Sequence, residues 1–420
     1  METSAHGITA PSAVYEIAGR RFEIGSRGFA EAIADAHTAH QRPRCMCLVE
    51  GVEMYVARLG EGYIVKRMPE TGSHHAPDCA SYEPPAECSG LGQVRGTAIC
   101  EDPATGETTL RLDFTMSRMS GRPTIPATAG AETSAASDGT RLSLRGLLHY
   151  LWDQAELTRW HPGFSGRRNW ATVRRHLLHA AEGKIAKGAT LAARLYIPEV
   201  FSVDRRDAIH SRRTAQWARA AARPDKPQQL MLIVAEVKGI EPARYGHRVV
   251  FKHVPDQAFG IDEQLYRRMA RRFEHELTFW ATASNLHMVM IATFGVSEAG
   301  VPTVAELCLM TVTAEWLPVE DAHEQQLVER LVRDGRSFVK ELRYNLPPWQ
   351  SVACAVLTDV GETPCALWIT TQRGDDDRRP SGAGVGSEDE SPVWAWNAAA
   401  AAMPALPSRQ RVSALGFHRS

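Results

Sequence analysis

The sequence has no apolar run long enough to cross a bilayer, which takes about 20 residues. Its longest, "LMLIVA" and "LHMVMIATF", are the size of strands. It also lacks a secretory leader pattern, because "METSAHGITAPSAVYEIAGRR" carries Glu2 and no apolar h-region. The expected localisation is therefore cytoplasmic, with no membrane partner. In that compartment the 8 cysteines read as thiols or ligands rather than disulfides. No P-loop, dinucleotide-binding glycine fingerprint, nucleophile elbow or His-Glu-x-x-His occurs. The 16 histidines form no readable triad. With none of these signatures present, a binding role is favoured over an enzyme. No internal repeat is present either, so a solenoid is not expected.

What is there is ordinary in bulk and uneven in detail. At 420 residues, 44% hydrophobic and 23% charged, the chain reads as a soluble protein with more than one core. The net charge of −1 conceals an asymmetry. Between Arg141 and Arg272, 25 Lys and Arg stand against 12 Asp and Glu. The rest of the chain's 48 and 49 is therefore 23 basic and 37 acidic residues. A basic middle between acidic flanks attracts a polyanion.

Periodicity divides the chain. Residues 14–24 read as a strand pair, 28–40 as a helix and 48–67 as a hairpin. A second hairpin turns through "DPATGE". Residues 117–140, rich in Ser, Thr, Ala, Gly and Pro, read as a linker. It separates a β-rich module (1–116) from a basic helical region (141–224) and an α+β domain (225–371). In the helical region, 142–156 and 169–182 form two helical patterns, and a third follows "LAARLYIPEV", which reads as a strand. Beyond it strands are expected at 230–237, 248–254, 286–294, 302–314, 351–358 and 364–370, and helices at 262–283 and 321–342. The tail, 372–420, reads as disordered. The expected fold class is α+β: a small zinc-ribbon-like β module, a basic helical middle and a mixed-sheet C-terminal domain.

Two stretches in the first module carry ligand chemistry. "CMC" supplies Cys45 and Cys47, and "HHAPDC" supplies His75 and Cys79, with the 48–67 hairpin between them. Structural zinc sites take four Cys/His ligands in two close pairs from two loops. The expected cofactor is thus a structural Zn²⁺ held by Cys45, Cys47, His75 and Cys79, with His74 and Cys88 as spare ligands. Cys308, Cys354 and Cys365 fall within strand patterns and read as core.

"RCMCLVEGVEMYVARLGEGYIVKRMPETGSHHAPDCASYEPP", with "LSLRGLLHYLWDQAELTRWHP" and "KELRYNLP", resembles the bacterial family catalogued as domain of unknown function 1173. The resemblance runs from about residue 14 to 371. It implies no activity. Its members' frequent place on plasmids and integrative elements implies a DNA-related role, with proteins of a mobile element as partners.

The basic middle offers candidate nucleic-acid contacts, to DNA or RNA. Arg174 and Arg175 sit on one helical pattern. Arg267, Arg268, Arg271 and Arg272 lie off the stripe of Leu265, Met269, Phe273 and Leu277. Guanidinium groups on such a face pair with phosphates. One catalytic alternative exists. Asp225, Glu236 and Lys238 resemble the P-D…(D/E)-x-K arrangement of Mg²⁺-dependent, restriction-like nucleases. The short connection leaves little room for two adjacent strands, so charged residues at a strand end are the plainer reading. A protein-interaction scaffold, with arginines meeting acidic partners, is the third possibility.

Overall fold

Alternating apolar side chains in "VYEI" and "VEMYVARL" pair into the first sheet. The computed structural model describes residues 13–59, 62–118, 139–223, 226–371 and 393–410. In it, Val14–Ile17 lies between Arg20–Glu23 and Arg44–Cys45, and Val52–Leu59 and Gly62–Arg67 complete five antiparallel strands. The expected 48–67 hairpin is present, although its turn, 60–61, lies outside the described residues. Helix α1 (Phe29–Thr38) lays Ile33 and Ala36 onto this sheet. Tyr15, Ile17, Met54 and Val56 join them in a small core that also takes in Cys45 and Cys79.

The larger core is built around a long-stranded sheet. Met231–Pro242, His247–Phe251, Val254–Ile261, Pro302–Thr313 and Leu286–Val296 pair in sequence, and the last pairs back with the first, so the circuit closes. "MLIVAEV" is buried throughout, which explains its unbroken apolar run. Around this sheet lie α2 (Leu91–Val94), α3 (Leu144–Gln154), α4 (Trp170–Ala181), α5 (Leu191–Arg194), α6 (Arg206–Trp217), α7 (Glu263–Arg272) and α8 (Glu274–Thr282). Ser143 caps α3 by accepting from the Gly146 N–H, and Asn169 caps α4 by accepting from that of Thr172. A second mixed sheet, with α9 (Ala322–Arg333), builds a separate cluster around Leu327, Val328 and Leu331. Among the described residues the class is α+β, and no helix is long and apolar enough to cross a membrane.

Several expectations need correction. The 321–342 helix stops at Arg333, and Phe338–Lys340 is a strand. Asp334 caps it and Gly335 takes φ +65°, the left-handed residue with which helices commonly end. The 262–283 helix breaks at Phe273, whose φ of −111° separates α7 from α8. "LAARLYIPEV" begins as α5 and contributes only Leu195–Tyr196 to a strand. In the tail, Val393–Asn397 pairs in parallel with Cys365–Thr370 and buries Trp394 and Trp396. Two tryptophans on one strand face outweigh the polar stretch that precedes them. Most of the 117–140 linker lies outside the described residues, but Ser117–Arg118 pairs with Gln228–Gln229. The main core draws residues from before 116, from 141–224 and from beyond 225, so it crosses those boundaries.

Candidate metal centre

The hairpin brings the two ligand pairs together. Cys45 ends a strand whose partners are Tyr15 and Val52. Two residues on, Cys47 lies in the turn that leads to Gly51. His75 follows the short 3₁₀ turn Gly72–His74, and the Cys79 N–H donates to the Ala76 carbonyl. Gly72 is required there, because a Cβ would sit 2.4 Å from the Cβ of Glu83.

The four ligand atoms lie within 4.8 Å of one another. Cys45 Sγ is 3.7 Å from Cys79 Sγ, and His75 Nδ1 is 3.4 Å from Cys47 Sγ and 3.7 Å from Cys79 Sγ. Zn–S bonds of about 2.3 Å and Zn–N bonds of about 2.0 Å at tetrahedral angles place sulfurs about 3.8 Å apart and S and N about 3.5 Å apart. A disulfide would need about 2.05 Å. The spacing is therefore that of ligands around a common centre, and the cluster can hold a metal ion. Three thiols so close compete for protons: hydrogen bonding from Cys45 favours the Cys47 thiolate, and the same contact pushes the Cys45 thiol up. A cation would let all three ionise. The Ser81 N–H donates to Cys79 Sγ at 3.3 Å, whereas His75 Nε2 is buried without a partner.

Neither spare ligand joins the cluster. His74 is exposed. Cys88 packs beside Ala353, Val356 and Ala366, where burial pushes its thiol up to about 12. Cys308, Cys354 and Cys365 are buried core residues, as their strand patterns indicated.

On α7, Leu265 and Met269 are buried, as is Phe273 just beyond, while Arg267, Arg268, Arg271 and Arg272 are exposed. Arg267 pairs with Glu263 at 2.8 Å. The carboxyls of Asp113 and Glu306, both raised mainly by burial, feel Arg272 and Arg268. On α4, Arg175 is exposed, and Arg174 Nε donates to the Ile197 carbonyl at 3.0 Å. Trp170 and Trp217 belong to the core, so neither is available to stack on a base. Glu236 is 3% exposed, and its carboxylate accepts from Lys252 Nζ and His287 Nδ1, each at 2.5 Å. Lys238 is exposed, and Asp225 lies outside the described residues. Sequence reasoning missed a groove of about 540 Å³ lined by Arg194, Arg219, Arg223 and Lys226 over Ala and Met side chains, with no acid among its described lining residues. The only signal was the general arginine surplus.

The chain matches the family model described as "Protein of unknown function (DUF1173)" over residues 15–399. That span takes in the strand Val393–Asn397, beyond the limit of 371 expected from the sequence. No curated protein and no solved structure matches it.

Proposed function

The chain belongs to the DUF1173 family, and from that premise we propose that it is a zinc-stapled, non-catalytic protein that contacts nucleic acid, or a nucleoprotein partner, of a mobile element. Zinc is the metal this ligand set fits best: three thiolates and one imidazole close a tetrahedron and leave no position for substrate. Its role is then structural. The Cys45–Cys79 cluster staples a zinc-ribbon-like hairpin whose own core is too small to stand alone.

The observation that carries the nucleic-acid reading is the groove of Arg194, Arg219 and Arg223, because cations collected in a concave surface with no acid among its described lining residues focus a field that attracts phosphates. The exposed arginines of α7 extend the same chemistry to a second surface. Glu236, held by Lys252 and His287, lends no support to a nuclease.

Fluorescence anisotropy with labelled DNA and RNA at increasing salt tests this reading. Affinity should fall steeply as salt rises, since each neutralised phosphate releases counterions. Arg219→Ala with Arg223→Ala should weaken binding to all sequences alike and flatten the salt slope. The same should hold, to a lesser degree, for alanine at Arg267, Arg268, Arg271 and Arg272. Binding with an unchanged slope in both variants would refute it.

A further inference from the structure

A cleft of about 460 Å³ lies where the Gly62–Arg67 strand, the loop beyond Cys79, the end of α3 and the stretch from Val339 to Tyr344 meet. Its volume is that of pockets which enclose a small organic ligand. It is separate from the arginine groove and shares no lining residue with it.

Its cations exceed the carboxylates that pair with them. Lys184 is 4% exposed, and its Nζ reaches Thr108 Oγ1 at 3.2 Å, Gln154 Oε1 at 3.4 Å and the face of the Tyr150 ring at 5.4 Å, none of them a counter-ion. Lys66 Nζ similarly reaches the Gly106 carbonyl at 3.4 Å. Glu101 acts on both lysines from a distance without pairing. Burial pulls both lysines below their usual range, Lys184 to about 8, which is the mark of ammonium groups without a counter-ion. Arg67 and Arg95 share a single carboxylate, Glu83, at 3.1 and 2.6 Å. Half-buried Arg159 lines the same cleft and has no ion pair among the described residues.

Two further groups each keep a buried oxygen without a partner. Tyr344 is 2% exposed and Glu341 is 7% exposed, and both line the cleft. Tyr344 Oη and Glu341 Oε1 have no hydrogen-bond partner. Burial first, then Asp153 and Glu83, pushes Glu341 up to about 8, so near neutral pH it keeps a proton. Burial also raises Asp153. Ammonium, guanidinium, phenol and protonated carboxyl are all donors. Buried polar groups are seldom left unsatisfied, and a set of unmatched donors calls for an acceptor-rich anion.

We propose that this cleft binds a small phosphorylated molecule of about mononucleotide size, its phosphate met by Lys66 and Lys184 and its other oxygens by Arg159, Tyr344 and Glu341. A bare phosphate would leave most of the volume empty.

Calorimetry on the full chain tests the proposal, with AMP, ribose 5-phosphate and inorganic phosphate as probes and succinate as a dicarboxylate control. One-to-one, saturable binding of AMP or ribose 5-phosphate is expected, with phosphate competing at higher concentration. Arg159→Gln and Tyr344→Phe should each weaken that binding at least ~10-fold, while circular dichroism and unfolding temperature report an intact fold. Tyr344→Phe keeps the ring and removes only the unpartnered hydroxyl, so it separates binding from packing. The proposal is overturned if no phosphate probe saturates the wild-type chain. It is equally overturned if both variants bind as the wild type does, or if succinate binds as tightly as the phosphates.

Discussion

The metal cluster and the cleft both gather ionisable side chains out of water, and they manage the charge in opposite ways. In the cluster, sulfurs and an imidazole nitrogen approach within 3.4 to 3.7 Å, a spacing that only a shared cation makes favourable once the thiols ionise. In the cleft, burial raises the Glu341 and Asp153 carboxyls and pulls the lysines down, so these charges are attenuated rather than matched. The first arrangement is complete once one ion arrives. The second retains unmatched donors over a volume of about 460 Å³, which is the mark of a place for a larger guest.

The largest effect should come from breaking the cluster. Cys79→Ser should abolish metal binding, with elemental analysis falling from about one ion per chain to none. With the ion gone, the N-terminal module should lose the whole of what a structural zinc supplies, on the order of 10 kcal/mol, and should unfold. Loss of metal with no change in unfolding would show that the small core around Met54 and Val56 stands without its staple.

Next come the two faces of α7. Leu265→Ala should cost ~2–4 kcal/mol, because the side chain is 6% exposed and a cavity would remain. Arg271→Ala, on the exposed face, should change stability by less than ~0.5 kcal/mol. Chemical denaturation of both variants checks the contrast, and equal costs would mean that the helix packs differently from its sequence stripe.

That stripe was legible because helical burial has a period that composition cannot hide. Leu265, Met269 and Phe273 are core as their spacing indicated. The Cys45, Cys47, His75 and Cys79 cluster was legible for a related reason: few residue types serve as metal ligands, and a hairpin between two such pairs brings them together. Other features depended on contacts the sequence does not announce. Gly335 stops a helix whose apolar pattern runs on, and Phe338–Lys340 then pairs with Ala355–Leu357 and Arg159–Trp160. The cleft draws Lys66, Arg95, Asp153, Lys184 and Glu341 from distant segments, and each alone reads as an ordinary surface charge.

The cleft's own charge state gives a smaller, pH-dependent effect. Glu341 is raised from 4.5 to about 8 in the folded chain. Between those values the unfolded chain has lost a proton that the folded chain retains, so stability must fall as pH rises through this window. The contribution is full below 4.5 and gone above about 8. Glu341→Gln should flatten that fall, by at most a few kcal/mol at one pKa unit per 1.4 kcal/mol. Urea unfolding at several pH values measures it. A slope that is the same in both proteins would mean that Glu341 is not the buried acid.

The smallest expected effect is the sharpest test of how the cluster is assigned. His74 and His75 are adjacent, and Cys88 is a fourth nearby thiol, so spacing alone leaves more than one ligand set open. The structure separates them. His75 is 3% exposed with Nδ1 against two sulfurs, while His74 is exposed. Cys88 packs against Ala353, Val356 and Ala366, and its raised pKa makes it a poor thiolate ligand. His74→Ala and Cys88→Ala should therefore keep the full metal content and bind the ion as tightly as the parent in competition with a chelator. His75→Ala should hold the ion more weakly and lose it to the chelator sooner, because the thiolates of Cys45, Cys47 and Cys79 leave the fourth position to water. If His74→Ala releases the metal and His75→Ala does not, the 3₁₀ turn at Gly72–His74 presents the other ring, and the orphaned Nε2 of His75 needs a different explanation.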